Sequence, residues 1–265
     1  MTTLILVTGG TGTLGKLVVP RLREAGAKVR VLSRQAREAD GDVEFVRGDL
    51  DTGAGIDAAV AGAEVIVHCA GAQKGDGDKA RALVRAASRA GTPTPHLVNI
   101  SVVGADRVPQ DGGLDRAMFG YFGSKLDAEQ AIAGSGLPWT TLRATQFHDL
   151  VLMMARAMSR LPVVPVAAGM RFQPVDAGEV ADRLVELTLG SPAGLAPDIA
   201  GPRAYPMADL VRAYLRAVGK RRPLLPVRLP GKAAAAVRAG ANLPNERGAV
   251  AHVTWEEFLA ARAGA

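Results

Sequence analysis

Residues 4–19 read LILVTGGTGTLGKLVV. A short run rich in β-branched residues ends at Thr8, four glycines (9, 10, 12 and 15) follow within seven positions, and the apolar pattern then changes period. Leu14, Leu17, Val18 and Leu22 recur at the spacing of one helical face, so the stretch reads as strand, turn and helix. In that context Gly9, Gly12 and Gly15 each have a steric task. One makes the tight turn, one lets backbone approach a diphosphate, and one permits close helix–strand packing. The helix N-terminus adds unpaired N–H groups and partial positive charge. Residues Gly9, Gly10, Thr11, Gly12, Thr13, Leu14 and Gly15 are therefore expected to cradle a dinucleotide.

Working outward, strand-like and helical runs alternate through the first half of the chain. AKVRVLS, VEFVRGD, EVIVHCAG, HLVNIS and WTTLRA read as strands. IDAAVAGA, KARALVRAASRAG and SKLDAEQAIAGSG read as the helices between them. The strands are almost continuously apolar, as expected when helices cover both faces of a parallel sheet. The expected fold class is α/β, a Rossmann-like doubly wound parallel sheet with a small C-terminal cap on the substrate side. Pro20 breaks a local rule: inside the first helix it should cost about 3 kcal/mol and produce a kink. From about residue 150 the rhythm changes. LVLMMARAMSRL and AGEVADRLVELTLG are helical, PVVPVAAGMRFQPVD is extended, and prolines 223, 226 and 230 precede GKAAAAVRAGANL. The expected division is a nucleotide-binding domain over 1–150 and a cap region over 151–265 that returns elements to the first domain.

Composition narrows the function classes. The chain has 265 residues, 48% hydrophobic and 22% charged, with one cysteine, Cys69, so no internal disulfide can form. No apolar run approaches the ~20 residues of a membrane helix, and a strand beginning almost at Met1 leaves no room for a signal peptide. A cytoplasmic protein is expected, with neither membrane nor nucleic acid as partner. The net charge of +6 comes mainly from arginines scattered along helices, such as Arg81, Arg85 and Arg89, without the interleaved aromatics of single-strand binders. Four isolated histidines (68, 96, 148 and 252) lack metal-ligand spacing, so no metal is expected. There is no Gly-x-Ser-x-Gly elbow and no Walker lysine.

The end of the second strand decides between dinucleotides. An acidic residue there would bind the ribose 2′-hydroxyl of NAD, but VRVLSR ends in Ser33 and Arg34. A guanidinium at this place suits a 2′-phosphate. NADP(H) is the expected cofactor, with NAD(H) as the alternative.

The T-G-G-T-G-x-L-G turn, RGDL after the third strand, HCAG after the fourth and YFGSK downstream resemble the short-chain dehydrogenases/reductases. GLPWTTLRATQF, FQPVDAGEVAD and TWEEFLA resemble the atypical, NmrA-like group within that superfamily. The resemblance implies that Asp49 and Leu50 lie beside the adenine. It implies that Cys69, Ala70 and Gly71 line the cofactor, and that Ala144, Thr145, Gln146 and Phe147 lie near the nicotinamide. It also implies chemistry for Tyr121 and Lys125, which share a face at i and i+4. A nearby ammonium favours the phenolate, so Tyr121 is expected to donate a proton to a carbonyl that receives hydride. Lys125 is expected to hold the nicotinamide ribose, and Ser101 to hydrogen-bond the substrate oxygen. His68 is expected to pack beneath the site.

The leading expectation is an NADPH-dependent reductase of a small carbonyl, quinone or similar acceptor, monomeric or a homodimer. Two alternatives stand beside it. One is a non-catalytic NADP(H)-binding redox sensor with a protein partner. The other is an epimerase or dehydratase using a tightly held cofactor, as extended members of the superfamily do.

Overall fold

The computed structural model describes residues 2–38, 41–72, 74–91, 94–245 and 248–263. In chain order the elements are β1 (Leu4–Thr8), α1 (Gly15–Glu24), β2 (Lys28–Ser33), β3 (Val43–Arg47), α2 (Ile56–Val60), β4 (Val65–His68) and α3 (Asp76–Arg89). Then come β5 (His96–Val102), α4 (Gly113–Ala133), β6 (Trp139–Ala144), α5 (His148–Met158), β7 (Val164–Ala167), β8 (Arg171–Phe172) and α6 (Ala177–Leu189). The chain closes with β9 (Gly194–Leu195), β10 (Ile199–Ala200), β11 (Tyr205–Pro206), α7 (Met207–Ala217), β12 (Leu224–Val227), α8 (Lys232–Arg238), β13 (Ala249–Val250) and α9 (Trp255–Ala263).

Two compact units form, and neither is one continuous stretch of chain. The first takes Met1–Ser101, Ser124–Leu142 and Val180–Ala196; the second takes Val102–Gly123, Arg143–Glu179 and Pro197–Ala265. Segments from both sides of residue 150 thus contribute to each.

The first unit is the α/β sheet that the alternating pattern implies. Its strands run in the order β3-β2-β1-β4-β5-β6, with β9 beside β6. The pairings of β1 with β2 and β4, of β2 with β3, and of β4 with β5 are all parallel. This is the doubly wound order, and the strand order reverses between β1 and β4, where such sheets open a crevice at their carboxyl ends. Helices α2, α3 and α4 lay Ile56, Val60, Leu83, Ala87, Ala128 and Ile132 over Leu6, Ile66 and Leu97. Small alanines on α3 let it approach the sheet closely, which suits a chain poor in aromatics. Helix α1 runs unbroken through Pro20, so the carbonyl of Lys16 goes without its usual i+4 donor.

Among its described residues the second unit carries three clusters. Trp255, fully buried, stacks with Phe258 and His148 at centroid distances of 5.6 and 5.7 Å, and its indole N–H donates to the Leu210 carbonyl at 3.0 Å. Strands β7 and β12 pair in parallel, with Leu224 opposite Val164, over Val211 and Leu215 of α7. A third cluster joins Val108, Met170, Ala233 and Val237 to Phe119 and Phe122.

One expected boundary is corrected. The fourth helix was read from Ser124 onward, yet α4 starts at Gly113. Gly113, Gly120 and Gly123 argue for a loop on propensity, but packing overrides it. Phe119 and Phe122 bury against the third cluster, and the Gln110 amide donates to the Phe119 carbonyl at 3.1 Å. Among the described residues no helix is long and apolar enough to cross a membrane.

Candidate cofactor and active site

Strand β1 delivers the chain into the glycine turn at the carboxyl edge of the first unit's sheet. Gly9 has φ +70°, a left-handed conformation that side chains rarely adopt, and a Cβ there would stand 2.6 Å from the Ala70 nitrogen. A Cβ on Gly15 would lie 2.6 Å from the Gly10 Cα and closer still to the Gly9 carbonyl oxygen. The turn closes with the Gly12 N–H donating to the Gly9 carbonyl at 2.9 Å. The first turn of α1 carries no acidic residue and its N-cap makes no side-chain bond, so the positive end of the helix is not neutralised locally.

A cavity of about 360 Å³ opens at the ends of β1 to β4. Gly9, Thr11 and Gly12 line it from the turn, Ser33 and Arg34 from β2, Asp49 and Leu50 from beyond β3, and Cys69, Ala70 and Gly71 from beyond β4. The structure therefore gathers these ten expected cofactor residues around one space. Gly10, Thr13, Leu14 and Gly15 are not among its walls. Gly15 serves helix packing, Leu14 is buried, and a Cβ on Gly10 would strike Val31 at 2.8 Å. Arg34 is exposed at the end of β2, and the Ser33 hydroxyl donates to the Gln35 carbonyl at 2.8 Å. Asp49 also shapes its own turn, accepting the Asp51 N–H at 2.9 Å. A backbone cradle that no Cβ could share, a helix end of positive potential and a guanidinium at the end of β2 fit a dinucleotide.

Lys125 of α4 is not among the residues lining this cavity but packs against one of them, Gly71. Its side chain is 6% exposed, its Nζ lies 3.0 Å from an Asp76 carboxylate oxygen, and it donates to the Ile100 carbonyl at 3.5 Å. A Cβ on Gly71, a wall residue, would stand 2.8 Å from that Nζ. Ser101 is the penultimate residue of β5, and its buried hydroxyl has no partner among the described residues. Asp76 was not anticipated. An acid beside glycines at a helix start reads in the sequence as a cap, and nothing local marks a partner 49 positions away.

His68 behind the cavity and Cys69 on its wall are both held neutral. His68 is fully buried, and its Nδ1 lies 2.7 Å from the Thr8 hydroxyl. Burial, with help from the Lys125 and Lys79 charges, pushes its pKa down to about 3. Burial pushes the Cys69 thiol up to about 12, opposed by Lys125, so the sulfur is no nucleophile at neutral pH.

The remaining expected residues belong to the second unit. Tyr121 on α4 is 39% exposed, and its ring meets Phe122 edge-on at 6.3 Å. Ala144 ends β6 opposite Ile199 of β10, and the Thr145 hydroxyl donates to the Gln173 carbonyl at 2.6 Å. The Gln146 side-chain oxygen is buried without a partner among the described residues. Phe147 caps α5 in an extended conformation and bridges to Val175. These four are brought together around the exit of β6.

Comparison with known proteins agrees with this geometry. The NAD(P)H-binding family model matches residues 9–170. A (4-alkanoyl-5-oxo-2,5-dihydrofuran-3-yl)methyl phosphate reductase of Streptomyces griseus is 30% identical over 227 residues, 82% of this chain and 74% of its own. An NAD(P)H azoreductase of Xenophilus azovorans is 29% identical over 226 residues, with the same two coverages. Among solved structures, the NADPH-dependent quinone oxidoreductase QOR2 of Escherichia coli, complexed with NADPH, superposes with a TM-score of 0.79. It covers 97% of this chain and 99% of that one at 19% identity. Matched from the first glycine of its cradle to Met170, the chain belongs to the NAD(P)H-binding family, and a nicotinamide dinucleotide is its cofactor.

Proposed function

We propose that this chain is an NADPH-dependent reductase of the short-chain dehydrogenase/reductase type, NmrA-like, acting on a small carbonyl, quinone or similar electron-poor acceptor. The observation that carries the reading is Lys125, a buried cation beside Gly71, a wall residue of the cofactor cavity, and within reach of the Ile100 carbonyl. A structural lysine gains little from such a place, because desolvating an ammonium is costly. A lysine that hydrogen-bonds the ribose of a bound nucleotide belongs there. Relatives named as reductases of an azo compound and of an oxo-dihydrofuran phosphate support reduction of a conjugated acceptor.

When bound, NADPH supplies a hydride. Tyr121 gives its phenolic proton to the acceptor heteroatom as that atom gains the electron pair of the broken π bond, and solvent restores the proton. The Ser101 hydroxyl, which has no partner among the described residues, orients the acceptor oxygen. Arg34 pairs with the 2′-phosphate and sets the preference for NADPH over NADH.

The test is NADPH oxidation against quinones, aldehydes, ketones and azo dyes, run beside Tyr121→Phe with cofactor binding verified for both proteins. The expected result is turnover that falls at least about 100-fold in the variant, the range of a lost general acid. Tight NADPH binding without turnover on any acceptor would overturn the reductase and favour the redox sensor. Turnover of a sugar nucleotide without net NADPH consumption would favour the epimerase.

A further inference from the structure

We propose that Asp76 is the positioning residue for Lys125, holding its ammonium fixed beside Gly71, a wall residue of the cofactor cavity. This rests on the reading that Lys125 serves the bound cofactor. The Asp76 side chain is 1% exposed and that of Lys125 6%, with 3.0 Å between Oδ2 and Nζ. The second carboxylate oxygen accepts the Ala72 N–H at 2.7 Å, and the Asp76 N–H donates to the Ser124 hydroxyl at 3.1 Å. One residue therefore ties together the wall of the cavity at Ala72, the start of α3, and the turn of α4 that carries Lys125.

The plain alternative is a helix cap. An acid in the first turn of a helix is favourable and common, but a capping carboxylate bonds N–H groups of its own helix. That of Asp76 points elsewhere, to a loop N–H four residues upstream and to Lys125. Stability is also a weak explanation, since buried ion pairs are often replaced by apolar residues at no cost. What the pair does supply is a fixed charge. Gly71 completes the arrangement: its missing Cβ, 2.8 Å from Nζ and 3.5 Å from Oδ2, leaves the ammonium uncovered on that side.

Without the carboxylate, the ammonium is no longer tied to Ala72 and the start of α3, and nothing in this pair sets its position beside Gly71.

NADPH binding, titrated by fluorescence without any acceptor, tests the assignment separately from the reductase reading, which turnover tests. Dissociation constants are measured for the wild type, Asp76→Asn, Asp76→Glu, Lys125→Met and the Asn/Met double variant. For Asp76→Asn the dissociation constant is expected to rise about tenfold. In the Lys125→Met background the same change is expected to add less than about twofold. Unchanged affinity in Asp76→Asn, or an equal loss in the Lys125→Met background, would overturn the assignment. Asp76→Glu decides the matter if Asp76→Asn does not fold. It keeps the charge but displaces it by one methylene, so binding weakens, and unchanged affinity would overturn the positioning role.

Discussion

Thr8 and His68 sit opposite each other on paired strands, and the threonine hydroxyl meets the imidazole Nδ1 at 2.7 Å with both residues buried. The other ring nitrogen has no partner among the described residues. This histidine is a packing group with one polar contact, as a residue beneath a nucleotide site must be if the site is not to carry an unwanted charge.

That burial has a consequence for stability against pH. With its folded pKa pushed down to about 3 and its unfolded value near the ordinary ~6.5, His68 binds a proton in the unfolded chain first. Stability is therefore full above about pH 6.5 and declines as pH falls toward about 3, by roughly 1 kcal/mol per pH unit. His96 and His148, also lowered by burial, act with the same sign. Urea midpoints at neutral pH and about two units lower check this. His68→Asn should reduce the difference between them, and an unchanged difference would assign the acid sensitivity elsewhere.

The cradle glycines should separate by position. Gly15→Ala forces a Cβ into the Gly9–Gly10 backbone, so the turn must open. A loss of about 2 kcal/mol or more is expected, together with loss of NADPH binding. In Gly12→Ala the new Cβ would meet only the Gly9 carbonyl at 3.2 Å, and the residue faces the cavity. Stability should change by less than about 1 kcal/mol while NADPH affinity falls. Chemical denaturation and a binding titration on the two variants read both quantities, and equal stability losses would contradict the geometry.

Arg34 should govern the choice between dinucleotides. Replacing it by Asp removes the cation expected to meet the 2′-phosphate and supplies an acceptor for a ribose hydroxyl. NADPH affinity is expected to fall at least about tenfold, the value of one charge-assisted contact, with NADH affinity equal or improved. Parallel titrations with the two cofactors check it, and an equal loss for both would show that Arg34 acts on a part they share.

Much of the first unit was legible in the sequence because its signals are local. Apolar runs of strand length separated by amphipathic helices specify a parallel sheet, and WTTLRA coincides with β6 from Trp139 to Ala144. Among the cavity walls, the turn glycines and the Ser33–Arg34 pair were legible from strand and turn signals, whereas Asp49, Leu50, Cys69, Ala70 and Gly71 were implied only by the family resemblance. What escaped depends on contacts distant in sequence. Helix α4 extends back to Gly113 because Phe119 and Phe122 find a cluster containing Met170 and Val237. Helix α7, whose apolar face buries Leu210, Val211 and Tyr214, lies outside the alternating strand and helix pattern of the first half of the chain. Asp76 escaped because its partner is on another helix.

The interleaving of the two units bears on how the chain is made. Strand β9 pairs with β6 through Thr140 and Gly194, and the Thr140 hydroxyl accepts the Ala193 N–H at 2.9 Å. The edge of the nucleotide-binding sheet is thus completed by residues synthesised about fifty positions after β6. At ribosomal speeds of about 5–20 residues per second, β6 waits some seconds with an unpaired edge. A stop codon placed at residue 150, where the sequence changes rhythm, would release a chain lacking that strand, with an open edge of the kind that invites aggregation.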